Sequence, residues 1–154
     1  MEKGLNASWM PSYGPEMRGG TCNCKVVVSD DKILSPIFTR PTKAIIMNRN
    51  SLDRFMDKLD KAEIIVLNSS LIDLSEEDKE KLKDTKLICV DANELALEAG
   101  SIQCANMVMI GAYTKHSKAI DLEQIKESIK ERFKDKPKVV EMNLKSIDMG
   151  YAQG

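Results

Sequence analysis

The middle of the chain alternates between two hydrophobic patterns. Short apolar runs, typical of buried strands, are separated by segments in which apolar residues recur every three or four positions, as on one face of a helix. Residues 51–59 show the helical spacing clearly, with Leu52, Phe55, Met56 and Leu59 at i, i+3, i+4 and i+7. Such alternation predicts an α/β fold, in which parallel strands are joined by right-handed helical crossovers. The segments concerned are strands at 44–47, 63–67 and 86–90 and helices at 51–59, 75–83 and 93–99.

The segments on either side of this region follow other patterns. A strand at 5–10 is expected to stop at Pro11, because proline cannot donate to a sheet ladder. A second strand is predicted at 22–29, and a return strand, interrupted by Pro36, at 33–38.

The C-terminal third is predicted to be helical. Residues 106–115 are apolar around most of a helical circumference, as expected for a buried helix. Asp121 is placed to cap a helix at 122–133, and a last helix is predicted at 139–149, after Pro137.

Composition and charge exclude several classes of function. A length of 154 residues favours a single domain over residues 1–154. Because 23 Lys and Arg residues are balanced by 24 Asp and Glu residues, the chain lacks the basic surface of a nucleic-acid-binding protein and a polybasic membrane patch.

The longest apolar run, at 107–113, is well short of the roughly 20 residues that a membrane span requires. The N-terminus lacks the apolar stretch of a secretory signal, so a cytoplasmic location is expected.

The chain contains four cysteines, Cys22, Cys24, Cys89 and Cys104. Without a secretory signal, free thiols in a reducing cytosol are expected. The Cys22-x-Cys24 pair has no second pair to complete a zinc site, and the one histidine, His116, stands alone near a helix end. Since the two cysteines share one face of a strand with Val26 and Val28, core packing is predicted for them.

The sequence contains none of three common motifs that form a catalytic or nucleotide-binding site within one chain. There is no Gly-x-Ser-x-Gly nucleophile elbow, no phosphate-binding Gly-x4-Gly-Lys-Ser/Thr and no Gly-x-Gly-x-x-Gly. Most carboxylates belong to Lys- and Glu-rich helical faces, which are typical of solvated surface. The sequence therefore predicts no active site complete within this chain.

The segment 12–20 is unusual, because it holds three glycines and one proline in nine residues. Glycine lets another backbone or a cofactor approach closely. Arg18, directly before Gly19 and Gly20, could bind a phosphate or carboxylate bidentately. The alternative is a tight connection between two strands with an internal Glu16–Arg18 ion pair.

Asparagines form a second pattern. Asn48, Asn68 and Asn106 each follow a strand or begin a helix. In open α/β sheets, ligands bind outside the carboxyl ends of the strands, so these side chains could rim a cleft. Asparagine is also a preferred helix cap and turn residue, and capping is the favoured interpretation.

Several segments, taken in order, resemble one protein family. They are the loop at 12–20, the strand at 21–29, Met47-Asn48 with Ser51-Leu52, Asn68-Ser-Ser70, and residues 106–112. Together they are similar to the gamma subunit of the 2-oxoacid:ferredoxin oxidoreductases, in the branch acting on 2-oxoglutarate or branched-chain 2-oxoacids. The resemblance extends from about Leu5 to Tyr151, and its most specific piece is the Tyr-Gly-Pro-Glu-x-Arg-Gly-Gly motif at 13–20.

The resemblance implies a Rossmann-like three-layer α/β domain with a mixed, mostly parallel sheet. It implies a subunit of an enzyme that converts a 2-oxoacid, coenzyme A and oxidised ferredoxin to acyl-CoA, CO2 and reduced ferredoxin, with 2-oxoglutarate as the favoured substrate. Thiamine diphosphate, Mg2+, iron–sulfur clusters and coenzyme A would belong to the assembled complex, and none to this chain alone. The implied partners are alpha, beta and ferredoxin-like delta subunits, and the isolated chain is expected to be inactive.

By the same resemblance, the loop at 13–20 faces the shared active site and the subunit supports assembly and coenzyme A binding. No catalytic residue and no metal ligand are implied in this chain. The residues expected to contact a cofactor are Tyr13, Gly14, Pro15, Glu16, Arg18, Gly19, Gly20, Asn48 and Asn106.

The sequence departs from the family pattern at its start. Family members normally begin with a strand, a Gly-rich loop and a helix, whereas the segment from Met1 to Gly4 resembles the end of that helix. One alternative function is therefore a stand-alone α/β ligand-binding or regulatory module derived from this domain. Another is the same subunit in an enzyme for 2-oxoisovalerate, pyruvate or indolepyruvate.

Overall fold

A computed structural model describes residues 4–14, 22–117 and 120–154. The chain divides into two compact units, Met1–Thr39 and Arg40–Gly154, and each is described by itself. The single domain expected from the length stays a prediction.

The smaller unit contains an antiparallel hairpin. Strand β1 (Asn6–Tyr13) pairs with strand β2 (Cys22–Ser29), whose bounds agree with the predicted strand at 22–29. The prediction that the first strand stops at Pro11 is wrong, because β1 continues through Pro11, which is paired with Cys24. A two-stranded ribbon has an open edge on each strand, and a proline is tolerated at an edge because its missing N–H need not enter a ladder.

The predicted return strand at 33–38 is also wrong, since the structure assigns no strand to this segment. Local bonding and exposure explain the difference. The Ile37 amide donates to Ser35 Oγ at 3.2 Å, a turn that competes with a ladder. Leu34 and Ile37 are exposed, so no buried face rewards an extended pairing here.

Core packing of Cys22 and Cys24 is a third incorrect prediction. The two cysteines share one face of β2 with Val26 and Val28, as expected, but this face is exposed. A period of two shows which residues share a face, whereas burial depends on what covers that face.

The larger unit is built on a parallel sheet of three strands in the order β3-β4-β5. The strands are β3 (Lys43–Ile46), β4 (Ile64–Asn68) and β5 (Lys86–Val90). The helices are α1 (Arg49–Phe55), α2 (Glu76–Lys81), α3 (Ala92–Ala99), α4 (Ala105–Ser117), α5 (Leu122–Arg132) and α6 (Pro137–Gln153), with short 3-10 turns at Met56–Lys58 and Ile102–Cys104. The predicted α/β class is confirmed, and the antiparallel pairing lies in the separate hairpin.

Side chains of β4 alternate between two hydrophobic clusters, one on each face of the sheet. Ile65 and Leu67 pack with Leu52 of α1, whereas Val66 packs with Val108 and other residues of α3 and α4. A strand buried on both faces reads as a continuous apolar run, which is the pattern seen at 64–67. Helices therefore cover the sheet on both sides, and the predicted three-layer arrangement is confirmed.

Several helix boundaries follow from local chemistry. Ser75 and Asp78 form a reciprocal capping box at the start of α2, and Asp121 caps α5 by accepting from the Glu123 amide at 2.9 Å. The last helix starts at Pro137, two residues earlier than predicted, because proline is well suited to the first position of a helix.

Helices α4 and α6 pack closely through two glycines. A Cβ at Gly111 would overlap the backbone of Ile147, and one at Gly150 would overlap the backbone of Val108. Both positions therefore require a residue without a side chain. The contact fixes α6 against the helix that covers the sheet.

Candidate functional site

The predicted cofactor-binding loop connects the two strands of the hairpin. Tyr13, the last residue of β1, is paired with Cys22, the first residue of β2, and its side chain is 69% exposed. Gly14 follows directly after the strand. The other predicted loop residues, Pro15, Glu16, Arg18, Gly19 and Gly20, lie outside the described residues. Anion binding by Arg18 and the alternative Glu16–Arg18 pair therefore both stay predictions.

Asn48 follows β3 and caps α1. Its Oδ1 accepts a hydrogen bond from the Ser51 amide at 2.9 Å, and the residue is exposed at the carboxyl end of the strand. The capping interpretation is confirmed for this residue. Because the cap uses one lone pair of Oδ1, a contact between the Asn48 amide group and a cofactor stays a separate prediction.

Asn68 is fully buried at the end of β4, and its amide group is saturated by hydrogen bonds. Its Nδ2 donates to the Met47 carbonyl at 3.2 Å and to Asn93 Oδ1 at 3.1 Å. Its Oδ1 accepts from the amides of Ser70 at 3.2 Å and Ala92 at 3.3 Å. An asparagine side chain offers two donors and two acceptor lone pairs, so none is left for a ligand. Asn68 holds together the segments that follow all three strands.

The segment after β4 also caps α3. Ser70 Oγ accepts from the Asn93 amide at 3.2 Å, in the first turn of α3. The carboxylate of Asp91, the residue before the helix, makes no cap bond and instead accepts from Ser69 Oγ at 2.6 Å. The sequence analysis did not identify Asn93 as a partner of Asn68 or Asp91 as a partner of Ser69. The only signal for either contact was that Asp91 and Asn93 follow the strand at 86–90.

Asn106 lies in the first turn of α4 and is exposed. The opposite end of α4 contacts the residues that begin the edge strands, since Lys43 Nζ donates to the Ser117 carbonyl at 2.7 Å and Lys86 Nζ lies 2.9 Å from His116 Nδ1. Helix α4 therefore runs antiparallel to the strands, and Asn106 lies toward their carboxyl ends. Among the described residues, no hydrogen bond links Asn106 to the network of Asn68.

His116 has a structural partner. Its Nδ1 accepts from Lys86 Nζ, which requires a neutral imidazole. Burial, together with the charge of Lys86, lowers the pKa of His116 below its ordinary value of 6.5. The contact joins the C-terminal end of α4 to the first residue of β5.

Neither a metal site nor a membrane helix is found in the described ranges. No three His, Cys, Asp or Glu side chains come together there in a group that could hold a metal ion. Within the same residues, no helix is long and apolar enough to cross a bilayer.

Comparison with known proteins extends over nearly the whole chain. This chain is 34% identical over 149 residues to ketoisovalerate oxidoreductase subunit VorA of Methanothermobacter marburgensis, and the match covers 96% of this chain and 30% of VorA. It is 32% identical over 149 residues to 2-oxoglutarate synthase subunit KorC of Methanothermobacter thermautotrophicus, covering 96% of this chain and 78% of KorC. The chain thus spans less than a third of VorA and over three quarters of KorC.

A solved structure shows the same fold. The 2-oxoglutarate:ferredoxin oxidoreductase of Magnetococcus marinus, solved with 2-oxoglutarate, coenzyme A and succinyl-CoA bound, superposes with a TM-score of 0.80 at 21% identity, over 97% of this chain and 26% of that one. The family model described as pyruvate ferredoxin/flavodoxin oxidoreductase matches residues 1–153. This chain therefore belongs to the pyruvate ferredoxin/flavodoxin oxidoreductase family.

Proposed function

We propose that the chain is the gamma subunit of a 2-oxoacid:ferredoxin oxidoreductase. The complex would convert a 2-oxoacid, coenzyme A and oxidised ferredoxin to acyl-CoA, CO2 and reduced ferredoxin. The observation that carries the proposal is the family match over residues 1–153. The similarity to KorC, which extends over 78% of that subunit, supports a role as a subunit.

The proposal assigns the electron-transferring and thiamine-dependent chemistry to the partner subunits. Thiamine diphosphate would supply a carbanion-stabilising group there, and iron–sulfur clusters would carry electrons to ferredoxin. In the described part of this chain, no three His, Cys, Asp or Glu side chains come together as candidate metal ligands. The side-chain amide of Asn68 stabilises the fold, because all of its donors and acceptors are used in hydrogen bonds within the chain.

This chain would contribute to the coenzyme A side of the shared active site. Tyr13 and Cys22 bring the two ends of the loop together. Arg18 carries a planar cation suited to a phosphate, and Gly19 and Gly20 would let that group approach the backbone. The coenzyme A and succinyl-CoA present in the Magnetococcus structure support the choice of ligand.

The proposed substrate is 2-oxoglutarate. KorC supports it because the match extends over most of that subunit's length. A second candidate, 2-oxoisovalerate, is favoured by VorA, which has the higher identity, 34% against 32%. Pyruvate and indolepyruvate complete the set to be assayed.

An affinity purification of the chain from its native lysate, under anaerobic conditions, tests the proposal. Co-purifying proteins are identified by mass spectrometry, and the eluate is assayed for coenzyme A-dependent viologen reduction with the four 2-oxoacids. Recovery of alpha and beta subunits with activity on 2-oxoglutarate is the expected result. Activity on 2-oxoisovalerate instead would change the substrate and keep the subunit role. A folded chain without partners or activity would overturn the proposal and favour a stand-alone binding module.

A further inference from the structure

One face of the β1–β2 hairpin carries no charged side chain. Residues that are directly paired in an antiparallel ladder point to the same side, and so do residues two apart along a strand. The face is therefore formed by four cross-strand pairs. They are Ala7 with Val28, Trp9 with Val26, Pro11 with Cys24, and Tyr13 with Cys22. We call these eight residues the uncharged hairpin face.

The uncharged hairpin face is open to solvent. Trp9 is 65% exposed, Tyr13 69% and Val26 53%, and both cysteines on the face are exposed as well. At about 150 to 250 Å² for each aromatic side chain, Trp9 and Tyr13 alone present roughly 200 to 340 Å². The largest contiguous apolar patch on a typical monomeric protein is about 300 to 600 Å² and is often functional, and Trp9 and Tyr13 alone reach the lower end of this range.

The opposite face of the hairpin differs, because part of its own unit covers it. Lys25 Nζ donates to the Phe38 carbonyl at 2.5 Å and lies 5.1 Å from the centre of the Phe38 ring. An isolated two-stranded hairpin is only marginally stable in water, so a second covering layer would stabilise it. Among the described residues, Trp9, Tyr13 and Val26 on the uncharged hairpin face are exposed, so a covering layer could be added on this side.

Charge patterning separates this face from ordinary solvated surface. Helix α2, for comparison, exposes ion pairs such as Lys79–Glu76 and Lys81–Glu77. Buried centres of protein interfaces are depleted in charge and enriched in tryptophan and tyrosine, which dominate binding energy there. Trp9 and Tyr13 on an uncharged background match that composition.

Resting on the proposed function, we infer that the uncharged hairpin face docks on an apolar, uncharged surface of a catalytic partner subunit of the oxidoreductase. The length of VorA argues for this occupant rather than for a second copy of the chain. A stable interface needs about 800 Å² from each partner, more than Trp9 and Tyr13 supply. The face therefore suits a central anchor within a larger contact. In VorA, moreover, the matching region is only 30% of a longer polypeptide, so the same domain there adjoins other segments of a different sequence.

The chain's own cysteines report on this docking. Cys22 and Cys24 lie on the uncharged hairpin face, Cys89 is exposed on β5, and Cys104 is buried. The full chain and the purified complex are alkylated under anaerobic conditions with N-ethylmaleimide, and labelling of each cysteine is quantified by mass spectrometry. In the free chain, Cys22 and Cys24 should react readily. In the complex, their labelling should fall by about tenfold, as for groups that react only when a contact opens. Cys89 and Cys104 are the internal controls, because a change in their labelling between the free chain and the complex would indicate an effect that is not specific to the uncharged hairpin face.

Charge insertion provides the second measurement. Val26→Lys places an ammonium group on the face and should reduce recovery of the partner subunit by about tenfold, an effect of about 1.4 kcal/mol. Leu34→Lys is the matched control, because Leu34 is 89% exposed in the same unit but lies outside the face. Circular dichroism and thermal unfolding of the free variants establish that both remain folded.

Each outcome bears on the inference. An active complex in which Cys22 and Cys24 stay as reactive as in the free chain would overturn the docking surface and leave the proposed function intact. Protection of these cysteines in a homodimer of the free chain would overturn the choice of partner. A chain that recovers no partner subunit would overturn both proposals. Equal loss of partner with Val26→Lys and Leu34→Lys would also contradict a specific role for this face.

Discussion

The amide Nδ2 of Asn68 donates to Oδ1 of Asn93 at 3.1 Å, which joins the end of β4 to the first turn of α3. The two residues are 25 positions apart in the chain. Around this bond, Asn68 uses its remaining hydrogen-bonding capacity on backbone groups that follow β3, β4 and β5. The carboxyl edge of the sheet is therefore stabilised by one buried side chain, rather than held open for a ligand at that position.

Replacing Asn68 by alanine should strongly destabilise the larger unit. The change leaves the buried Ala92 amide and Asn93 Oδ1 without the hydrogen bonds that Asn68 provides, and an unsatisfied buried polar group costs about 1 to 3 kcal/mol. We expect the free energy of unfolding, measured by urea denaturation of the full chain, to fall by about 3 kcal/mol. Asn48→Ala is the control, because it removes only an exposed helix cap, with an expected cost of about 1 kcal/mol. Equal losses for the two variants would contradict the role given to Asn68.

Alanine at Gly150 should disrupt the contact between α4 and α6. The new Cβ would overlap the backbone of Val108, which cannot move without shifting the helix that covers the sheet. Overpacking of this kind costs about 1 to 3 kcal/mol, and more where backbone must shift, so we expect a loss of about 3 kcal/mol in thermal or urea unfolding. Glu141→Ala, at an exposed position of α6, should leave stability nearly unchanged. A Gly150→Ala protein as stable as this control would show that the helices can separate at no cost.

Much of the larger unit could be predicted because its patterns are local. Strands β4 and β5 appear in the sequence as short continuous apolar runs, and Ser75 and Asp121 cap helices through bonds to residues two or three positions away. The hairpin was harder to predict. Its second strand has a clear period of two, yet this period is the same whether the face of Val26 is buried or exposed. Pro11 suggested a strand end, and only the pairing with Cys24 shows an edge position that accepts it.

The candidate site was predicted in part. Capping by Asn48 follows from the residue type and its place before a helix, and the structure confirms it. The network of Asn68 depends on contacts with Met47 and Asn93, which lie more than 20 residues away in opposite directions along the chain. No spacing rule connects such positions, because the fold brings them together. The sequence could therefore suggest an asparagine-lined edge but not that Asn68 is saturated.

Asp78 should make stability depend on acidic pH. Bidentate hydrogen bonds from Arg49, at 2.5 and 3.2 Å, hold the pKa of the Asp78 carboxyl at about 2, below its ordinary value of 3.8. The folded state thus binds this proton less readily than the unfolded state, and the stabilisation is complete above about pH 4 and is lost as pH falls toward 2. Asp78→Asn should reduce stability at pH 7 and flatten the loss between pH 4 and 2 in urea unfolding.

The control for Asp78 is Glu77→Gln, which removes an exposed carboxylate from the same helix. An exposed ion pair contributes little to stability, so this variant should retain the pH profile of the unaltered chain. If Glu77→Gln flattened the profile as much as Asp78→Asn, the acid sensitivity would belong to the general charge of α2 rather than to the Arg49–Asp78 pair.

His116 gives a direct test of the contact between α4 and β5. It is the only histidine of the chain, so one imidazole signal in an NMR titration reports its pKa. Burial and the charge of Lys86 should hold that pKa below 6.5, and Lys86→Met should raise it. Because the folded state then resists protonation, stability should decline as pH falls below about 6.5, until the folded pKa is passed. Lys138→Met, at an exposed position in α6, should leave the titration unchanged, and a pKa of 6.5 or above in the unaltered chain would contradict the contact.

Arg18 should affect coenzyme A rather than the 2-oxoacid. A charge-assisted bidentate bond to a phosphate contributes about 1.5 to 3 kcal/mol, so Arg18→Ala in the assembled enzyme should raise the KM for coenzyme A by roughly tenfold to a hundredfold. The KM for the 2-oxoacid should change little, because that substrate would bind in the partner subunits. Arg18→Lys keeps the charge but loses the planar fork, and an intermediate KM is expected. Unchanged coenzyme A kinetics with normal assembly would exclude this role for Arg18, whereas loss of assembly in both variants would place Arg18 at the contact between subunits.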